Sequence, residues 1–288
     1  MTHSPTIRIG IDAGLTLTKL ALESEDGNFR FEKFSSADLK RIVERVTELL
    51  EPCNTPNVGL TGGGATRLSA ALQTESAAIS EFEAWGSGAR KLVSESGAFS
   101  ATDEPAPQRF LMVSLGTGTS VLLVEGLSAQ RIGGTALGGG TVMGLGRALT
   151  KATSFEELCK LAAKGDSKRV DLIISDIYQD GEIALPTDAT ASSFGRVGRE
   201  GPASATAEDL AAGVMNLVSE NIALLCGALS NPMQARHVAF GGSTLCANPA
   251  LANGLASVLA MLGCQCAVLK GGEYAGALGA LEFLRARG

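Results

Sequence analysis

One pattern occurs twice in this chain, and it constrains the fold more than any other feature. An apolar strand, Ile7-Arg-Ile-Gly-Ile-Asp12, runs into a glycine turn and returns as a second strand at Leu17–Leu22. About 100 residues later Arg109–Leu115 repeats the move through Gly116-Thr117-Gly118-Thr119 into Val121–Glu125. Short apolar or alternating runs bounded by glycine read as paired strands. One unit at the head of each half predicts a duplicated architecture. Residues 94–108 are rich in small side chains, with Pro105 and Pro107, and mark the expected boundary. Two domains are therefore expected, 1–105 and 106–288, with a cleft between them.

The remaining elements fit an α/β chain. Asn28–Phe34 reads as a third strand, so the chain opens with a meander. Helical spacing follows over Ala37–Leu50, and Asn57–Thr61 reads as a strand leading into Gly62-Gly63-Gly64. Glu81–Ser94 and Thr141–Leu149 read as helices, and Ser154-Phe-Glu-Glu157 is a capping box opening a helix over 155–163. Helices are also predicted over Asp171–Tyr178, Thr206–Leu229, Asn248–Leu262 and Tyr274–Arg287, and strands over His237–Gly241 and Gln265–Leu269.

Composition excludes several function classes. With 288 residues and 45 % apolar side chains, the chain is long enough to bury two modest cores. Its net charge is −6, and no basic stripe with interleaved aromatics occurs, which argues against nucleic acid as a partner. The N-terminus has no charged-then-apolar signal pattern, and no apolar run approaches the roughly 18 residues of a membrane span. The expectation is a soluble cytoplasmic protein with no membrane partner. Six cysteines are scattered without a Cys-x-x-Cys pair, and Cys264-x-Cys266 falls short of the four ligands of a structural zinc site. They read as reduced thiols. The two histidines, His3 and His237, leave little room for a Ser-His-Asp hydrolase.

Five stretches carry candidate chemistry. In Asp12-Ala-Gly-Leu-Thr-Leu-Thr-Lys19, the turn lets Gly14 and Thr16 offer backbone N–H and hydroxyl groups to phosphate oxygens. Lys19 adds a charge, and Asp12 can hold a magnesium ion through water. Gly116, Thr117, Gly118 and Thr119 make the second such loop. Either loop alone is also an ordinary hairpin, but the pair matches the way an actin-like kinase clamps the phosphates of ATP. No Gly-x-x-x-x-Gly-Lys-[Ser/Thr] or Gly-x-Gly-x-x-Gly competes with that reading. Third, an apolar strand ending at Gly241-Gly242-Ser243 can present flat backbone to an adenine ring; the plain alternative is a strand–helix turn. Fourth, Glu81 and Glu83 flank Phe82 at a helix start. One of them can serve as the carboxylate that phosphoryl transfer to an alcohol needs, or both can simply answer the helix dipole. Fifth, Arg131 precedes a glycine-dense run, Gly133-Gly-Thr-Ala-Leu-Gly138-Gly139-Gly140, which is costly unless backbone must approach something closely. Arg131 can pair with a phosphoryl group or a carboxylate.

With these residues in view the chain resembles the type II pantothenate kinases. The matching stretches are Ile9–Lys19, Thr61–Gly64, Glu81–Ala84, Ser114–Ser120 and, most specifically, Arg131–Leu149. Phe155–Glu157, Ala163–Asp166, Asp176–Tyr178, Ser192–Gly195 and Tyr274–Leu281 fit as well, so the similarity covers nearly the whole chain. The resemblance implies an actin-like (ribonuclease H-like) α/β fold with duplicated domains and an ATP cleft between them. It implies phosphorylation of pantothenate at its terminal hydroxyl, with ATP and Mg2+, as the first step towards coenzyme A. Glu81 falls on the catalytic base and Arg131 on the arginine at the transferring group. Asp12, Lys19, Gly116, Thr117 and Gly118 fall on the phosphate loops. It also implies a homodimer and inhibition by coenzyme A or acyl-coenzyme A. One position departs: the family has Gly-Gly-Thr in the first loop, where this chain has Gly14-Leu15-Thr16. A leucine there is strained if φ must be positive, and crowds a phosphate if only close approach is needed. The alternatives are a non-catalytic acyl-coenzyme A binder, an ATPase switch of the dehydratase-activator kind, or a sugar kinase of the same superfamily.

Overall fold

The computed structural model describes residues 6–51, 57–73, 75–99, 106–178, 184–201 and 204–287. His3, Cys53 and residues 100–105 of the expected boundary lie outside them. The chain builds two five-stranded sheets with the same wiring. In the first, β1 (Thr6–Ala13), β2 (Leu17–Ser24) and β3 (Phe29–Ser35) form an antiparallel meander. After α1 (Leu39–Leu50), β4 (Val58–Thr61) joins β1 in parallel. After α2 (Ala65–Leu72), β5 (Ala77–Ala78) joins β4 in parallel. The sheet order is β3-β2-β1-β4-β5. Helix α3 (Glu81–Ser96) closes this half.

The second half repeats the plan. An antiparallel meander of β6 (Arg109–Leu115), β7 (Thr119–Glu125) and β8 (Ser128–Thr135) comes first. Then follow α4 (Gly139–Thr150), α5 (Phe155–Ala162), a small ribbon of β9 (Leu172–Ile173) and β10 (Thr190–Ser192), α6 (Gly195–Glu200) and α7 (Ala207–Ser230). Strand β11 (His237–Gly241) joins β6 in parallel, and after α8 (Pro249–Met261), β12 (Gln265–Val268) joins β11. Helix α9 (Ala275–Arg285) is last. The order β8-β7-β6-β11-β12 matches the first sheet strand for strand.

Each sheet is covered on both faces. Ile42, Val46 and Leu68 of α1 and α2 pack on Ile9, Ile11 and Leu20 of the first sheet. On the second sheet Met215, Val218 and Ile222 of α7, with Leu251 and Leu255 of α8, pack on Leu111, Val113 and Phe240. Helix α7 is long and apolar enough to cross a membrane by length and composition, which the sequence reading had not anticipated, yet 61 % of its apolar window is buried in this core. The inner faces are covered crosswise. Trp85, Ala89 and Val93 of α3 pack on Phe110, Met112 and Leu122 of the second sheet, and α9 packs on β1 and β4 of the first. The two helices also cross each other at glycine. A Cβ on Gly279 would lie 1.7 Å from the Ala84 carbonyl oxygen, and one on Gly88 would lie 1.9 Å from that of Ala275. Backbone against backbone at this crossing ties the two lobes together.

One local expectation is corrected, and two elements form where the sequence reading assigned none. Asp171–Tyr178 is the short strand β9 followed by a 3-10 turn, because Asp176 accepts from the Ile173 N–H and Arg196 and closes the turn early. The segment around Arg131 is a strand, β8, held by pairing to β7. Helix α2 follows directly after Gly62-Gly63-Gly64.

Candidate active site

Both hairpin turns open on the same cleft, and they touch. Thr16 Oγ1 of the first turn lies 3.1 Å from Thr117 Oγ1 of the second, across 101 residues of sequence. Under the first turn the register sets Asp12 opposite Lys19 on β2 and beside Thr61 on β4. Lys19 Nζ stands 3.8 Å from Asp12 Oδ2 and 5.9 Å from the centre of the Trp85 ring, and both charged side chains are buried. Burial pushes the Asp12 carboxyl up to about 6; the Lys19 ammonium opposes this and the Glu81 carboxylate adds to it. Glycine walls the carboxylate on two sides. A Cβ on Gly62 would lie 2.7 Å from Oδ1, and one on Gly276 would lie 2.7 Å from Oδ2. The Thr61 hydroxyl beside it is buried without a hydrogen-bond partner. The turn is braced from behind by Ser36, whose hydroxyl donates to the Gly14 carbonyl at 2.7 Å.

The second turn carries no charge and is held by backbone. Gly116 N–H donates to Gly118 O within the turn. The start of α4 lies directly on it: Gly139 N–H donates to Gly116 O at 2.8 Å, and Gly140 N–H to Thr117 O at 2.9 Å. Thr119 donates to Leu137 O, and Thr244 to Gly116 O. A Cβ on Gly138 would sit 2.7 Å from Gly118 Cα. The glycine-dense run is thus explained in part by approach to the second loop, not by approach to a ligand alone.

A cavity of about 530 Å³ lies between the turns. Of the residues singled out in the sequence, Thr16, Gly116, Thr117, Gly139, Gly140 and Ser243 line it. Gly14, Gly118, Thr119 and Gly138 support the turns, and Asp12 and Lys19 lie beneath the first. Gly241 and Gly242 do not form the expected flat surface. Both are buried, one against Gly272 and Met112, the other with φ +118° against the Leu115 carbonyl. Ser243, Thr244, Cys246 and Ala247 carry the wall instead. Sequence reasoning missed the opposite wall, formed by Met143, Phe155, Glu156 and Cys159, and it missed Lys33 of β3. The capping box before Phe155 located α5, but nothing local said that its first turn meets the cleft.

Glu81 is the first residue of α3, exposed, and close enough to Asp12 to raise its pKa. Arg131 pairs with Leu122 on β7 and therefore shares the sheet face on which Leu122 packs against Trp85 of α3. Ala129, two residues earlier on the same face, meets Gly86 of α3. Glu81 and Arg131 thus stand on neighbouring elements, with Glu81 within electrostatic reach of Asp12. Leu15 is resolved as well. Its φ is not positive, and its side chain is 85 % exposed at the tip of the turn, so the backbone strain expected of a leucine at positive φ does not arise.

Comparison with known proteins agrees with this arrangement. The family model described as Fumble matches residues 15–282. A type II pantothenate kinase of Staphylococcus saprophyticus is 31 % identical over 277 residues, covering 96 % of this chain and all of that protein. One from Staphylococcus aureus is 29 % identical over 275 residues, covering 96 % and 98 %. Among solved structures, the activator of 2-hydroxyisocaproyl-CoA dehydratase from Clostridium difficile, with bound ADPNP, superposes with a TM-score of 0.63 at 17 % identity, over 97 % of this chain and 94 % of that one. A ROK family glucokinase from Streptomyces griseus does so with 0.58 at 13 %, over 97 % and 99 %. At such identities these two show the fold, which is the actin-like one with two duplicated lobes.

Proposed function

The chain belongs to the Fumble family, with the type II pantothenate kinases, and on that premise we propose that it transfers the γ-phosphoryl group of ATP to the terminal hydroxyl of pantothenate. One observation carries the reading to this chain's own residues: two hydroxyl-bearing turns, one per lobe, meet at Thr16 and Thr117 on the rim of a cavity of nucleotide size. Phosphoryl transfer asks the protein for positioning and charge neutralisation more than for covalent chemistry. Thr16, Thr117 and the turn N–H groups hold the phosphate tail. Glu81 accepts the proton of the attacking hydroxyl as its oxygen bonds to phosphorus and the bond to the ADP oxygen breaks. Arg131 neutralises charge on the transferring group. Lys19 and the packing around it fix the position of Asp12.

The residues fit a magnesium ion held mostly by phosphates and water. Asp12 offers one buried carboxylate in a cradle of glycine, beside an unpartnered Thr61 hydroxyl. Bound there with ATP, the ion offsets charge that builds on the phosphates. We place the adenine against the Phe155–Ser243 side of the cavity, and read the protein as a cytoplasmic homodimer open to inhibition by coenzyme A species. The sequence boundary at 105/106 is kept as the division between the lobes, with α3 and α9 exchanged across it.

The test is ADP release with pantothenate, pantetheine and N-acetylglucosamine side by side. Release that depends on pantothenate is the expected result. Release with the sugar alone, or at one rate whatever the acceptor, would overturn the proposal. Glu81→Ala should cut turnover by about 10²–10⁴ while ATP binding persists.

A further inference from the structure

Lys33 is an exposed lysine that lines the cleft cavity and has no ion-pair partner among the described residues. It lies on β3 directly opposite Lys19 of β2, so the two side chains leave the same face of the sheet. Leu17, two residues before Lys19, shares that face, and both Leu17 and Lys33 line the cleft cavity with Thr16, Gly116 and Thr117. Like charges directly opposite each other in an antiparallel pair are destabilising. Lys19 is answered by Asp12, but Lys33 forms no ion pair among the described residues. Glu156, the acidic residue in the cavity wall, is taken by Lys160 at 2.6 Å. Glu273 faces the same region, since it and Lys33 both act on the Cys246 thiol, yet it makes no ion pair with Lys33. The neighbours along β3 are also occupied: Phe31 stacks on Tyr274 with ring centres 4.8 Å apart, and Glu32 is held by Arg45. A lysine kept at the mouth of a cavity, facing another lysine and without a carboxylate, matches an anion brought by a ligand.

We infer that Lys33 is a second cationic contact for the polyphosphate of the nucleotide, approaching it from the edge strand while Lys19 acts from beneath the turn. The inference rests on the proposed nucleotide site and adds a residue that neither turn contains. It makes the first lobe's grip on the phosphates a two-lysine grip, with the β2–β3 pair as its frame. Lys33 is a binding residue on this reading and takes no part in proton transfer.

The test is calorimetric titration of wild type, Lys33→Gln and Lys33→Arg with MgATP, adenosine and acetyl-coenzyme A. A charge-assisted hydrogen bond lost at a partly exposed site should weaken MgATP by roughly fivefold to thirtyfold in Lys33→Gln. Adenosine affinity should stay as in wild type, and Lys33→Arg should recover most of the loss. The ligand-free melting temperature of Lys33→Gln should be unchanged or slightly higher, since a like-charge contact is relieved and the fold is kept. Equal weakening of ATP and adenosine, or unchanged ATP affinity, overturns the inference. So does weakening of acetyl-coenzyme A alone, which would assign Lys33 to a different phosphate source. The two readings fail separately. Wild type that binds ATP in a Lys33-dependent way but does not turn over pantothenate breaks the kinase proposal and leaves this one standing. Pantothenate turnover with Lys33-independent ATP affinity does the reverse.

Discussion

The two turns that meet at Thr16 and Thr117 look alike in sequence and are built on different physics. The first rests on charge. Asp12 and Lys19 are buried under it, the carboxylate lies between glycines, and its backbone is braced by the Ser36 hydroxyl and by the N–H groups of Ser36 and Gly64. The second rests on backbone. It has no charged side chain, and the start of α4 presses on it through N–H donors from Gly139 and Gly140. A duplicated hairpin has thus diverged into an electrostatic half and a rigid half. The pairing suits phosphoryl transfer, which needs charge near the phosphates and a fixed frame to hold them.

The sharpest way to break this contrast is Asp12→Asn. The carboxylate is pushed up to about 6 mainly by burial, so its charge costs the folded state free energy at neutral pH. Asparagine removes that cost and the metal ligand together. Activity should fall by about 10²–10³ in kcat/KM while the ligand-free protein melts higher. Activity and stability measured on one preparation decide it; a lower melting temperature would mean that the first turn is structural like the second.

In the second turn the two quantities should move together. Gly138→Ala sets a methyl group 2.7 Å from Gly118 Cα and 2.8 Å from the Thr117 carbonyl oxygen, all of it backbone that cannot step aside. We expect about 1–3 kcal/mol of lost stability from overpacking and roughly tenfold or more weaker ATP binding. Denaturant melts and calorimetry check the pair. Loss of affinity at full stability would show that the glycines serve the ligand and not the turn.

The electrostatic half also has a pH signature. Because the folded Asp12 binds its proton more tightly than the ordinary carboxyl does, its contribution to stability improves as pH falls from above 6 towards 3.8. Its capacity to hold magnesium runs the other way. The rate at limiting MgATP should decline below about pH 6, by about tenfold per unit, with the melting temperature of the ligand-free protein showing no parallel drop from this group. Glu81→Gln removes one of the influences that raise Asp12, so the residual activity should hold to lower pH. An acid limb that stays put would remove Asp12 as its source.

Much of this was legible in the sequence because it is local. A strand, a glycine turn and a returning strand are set by neighbouring residues, and both hairpins appear where that pattern puts them. The helices with caps, such as α5 behind Ser154, followed for the same reason. What escaped depends on distant contacts. The strand carrying Arg131 has Gly133 and Gly134 in it, poor strand formers on their own, and forms because β7 supplies partners. Asp171–Tyr178 has helical spacing, but Arg196 from α6 and the Asp176 side chain pin it into a turn. The crossing of α3 over the second sheet and α9 over the first joins residues nearly 200 positions apart. Glycines at 88 and 279 mark that crossing only once both helices are seen.

The smallest expected effect tests the position where sequence and structure differ most in emphasis. Leu15 stands where the family has glycine, and its side chain is almost wholly in solvent with a backbone that any residue adopts. It neither fills a gap in the core nor forces the turn, whose geometry is set by Gly14 N–H donating to Leu17 O and by Ser36. Leu15→Gly therefore removes no buried contact and mainly frees the unfolded chain, which costs about 0.5–1 kcal/mol of stability. The ATP affinity should change by less than about threefold, since 0.6 kcal/mol is roughly that factor. A larger gain would mean that the leucine crowds the phosphates when the nucleotide is bound. The first turn would then be limited by shape as well as by charge, and its difference from the second turn would be one of degree.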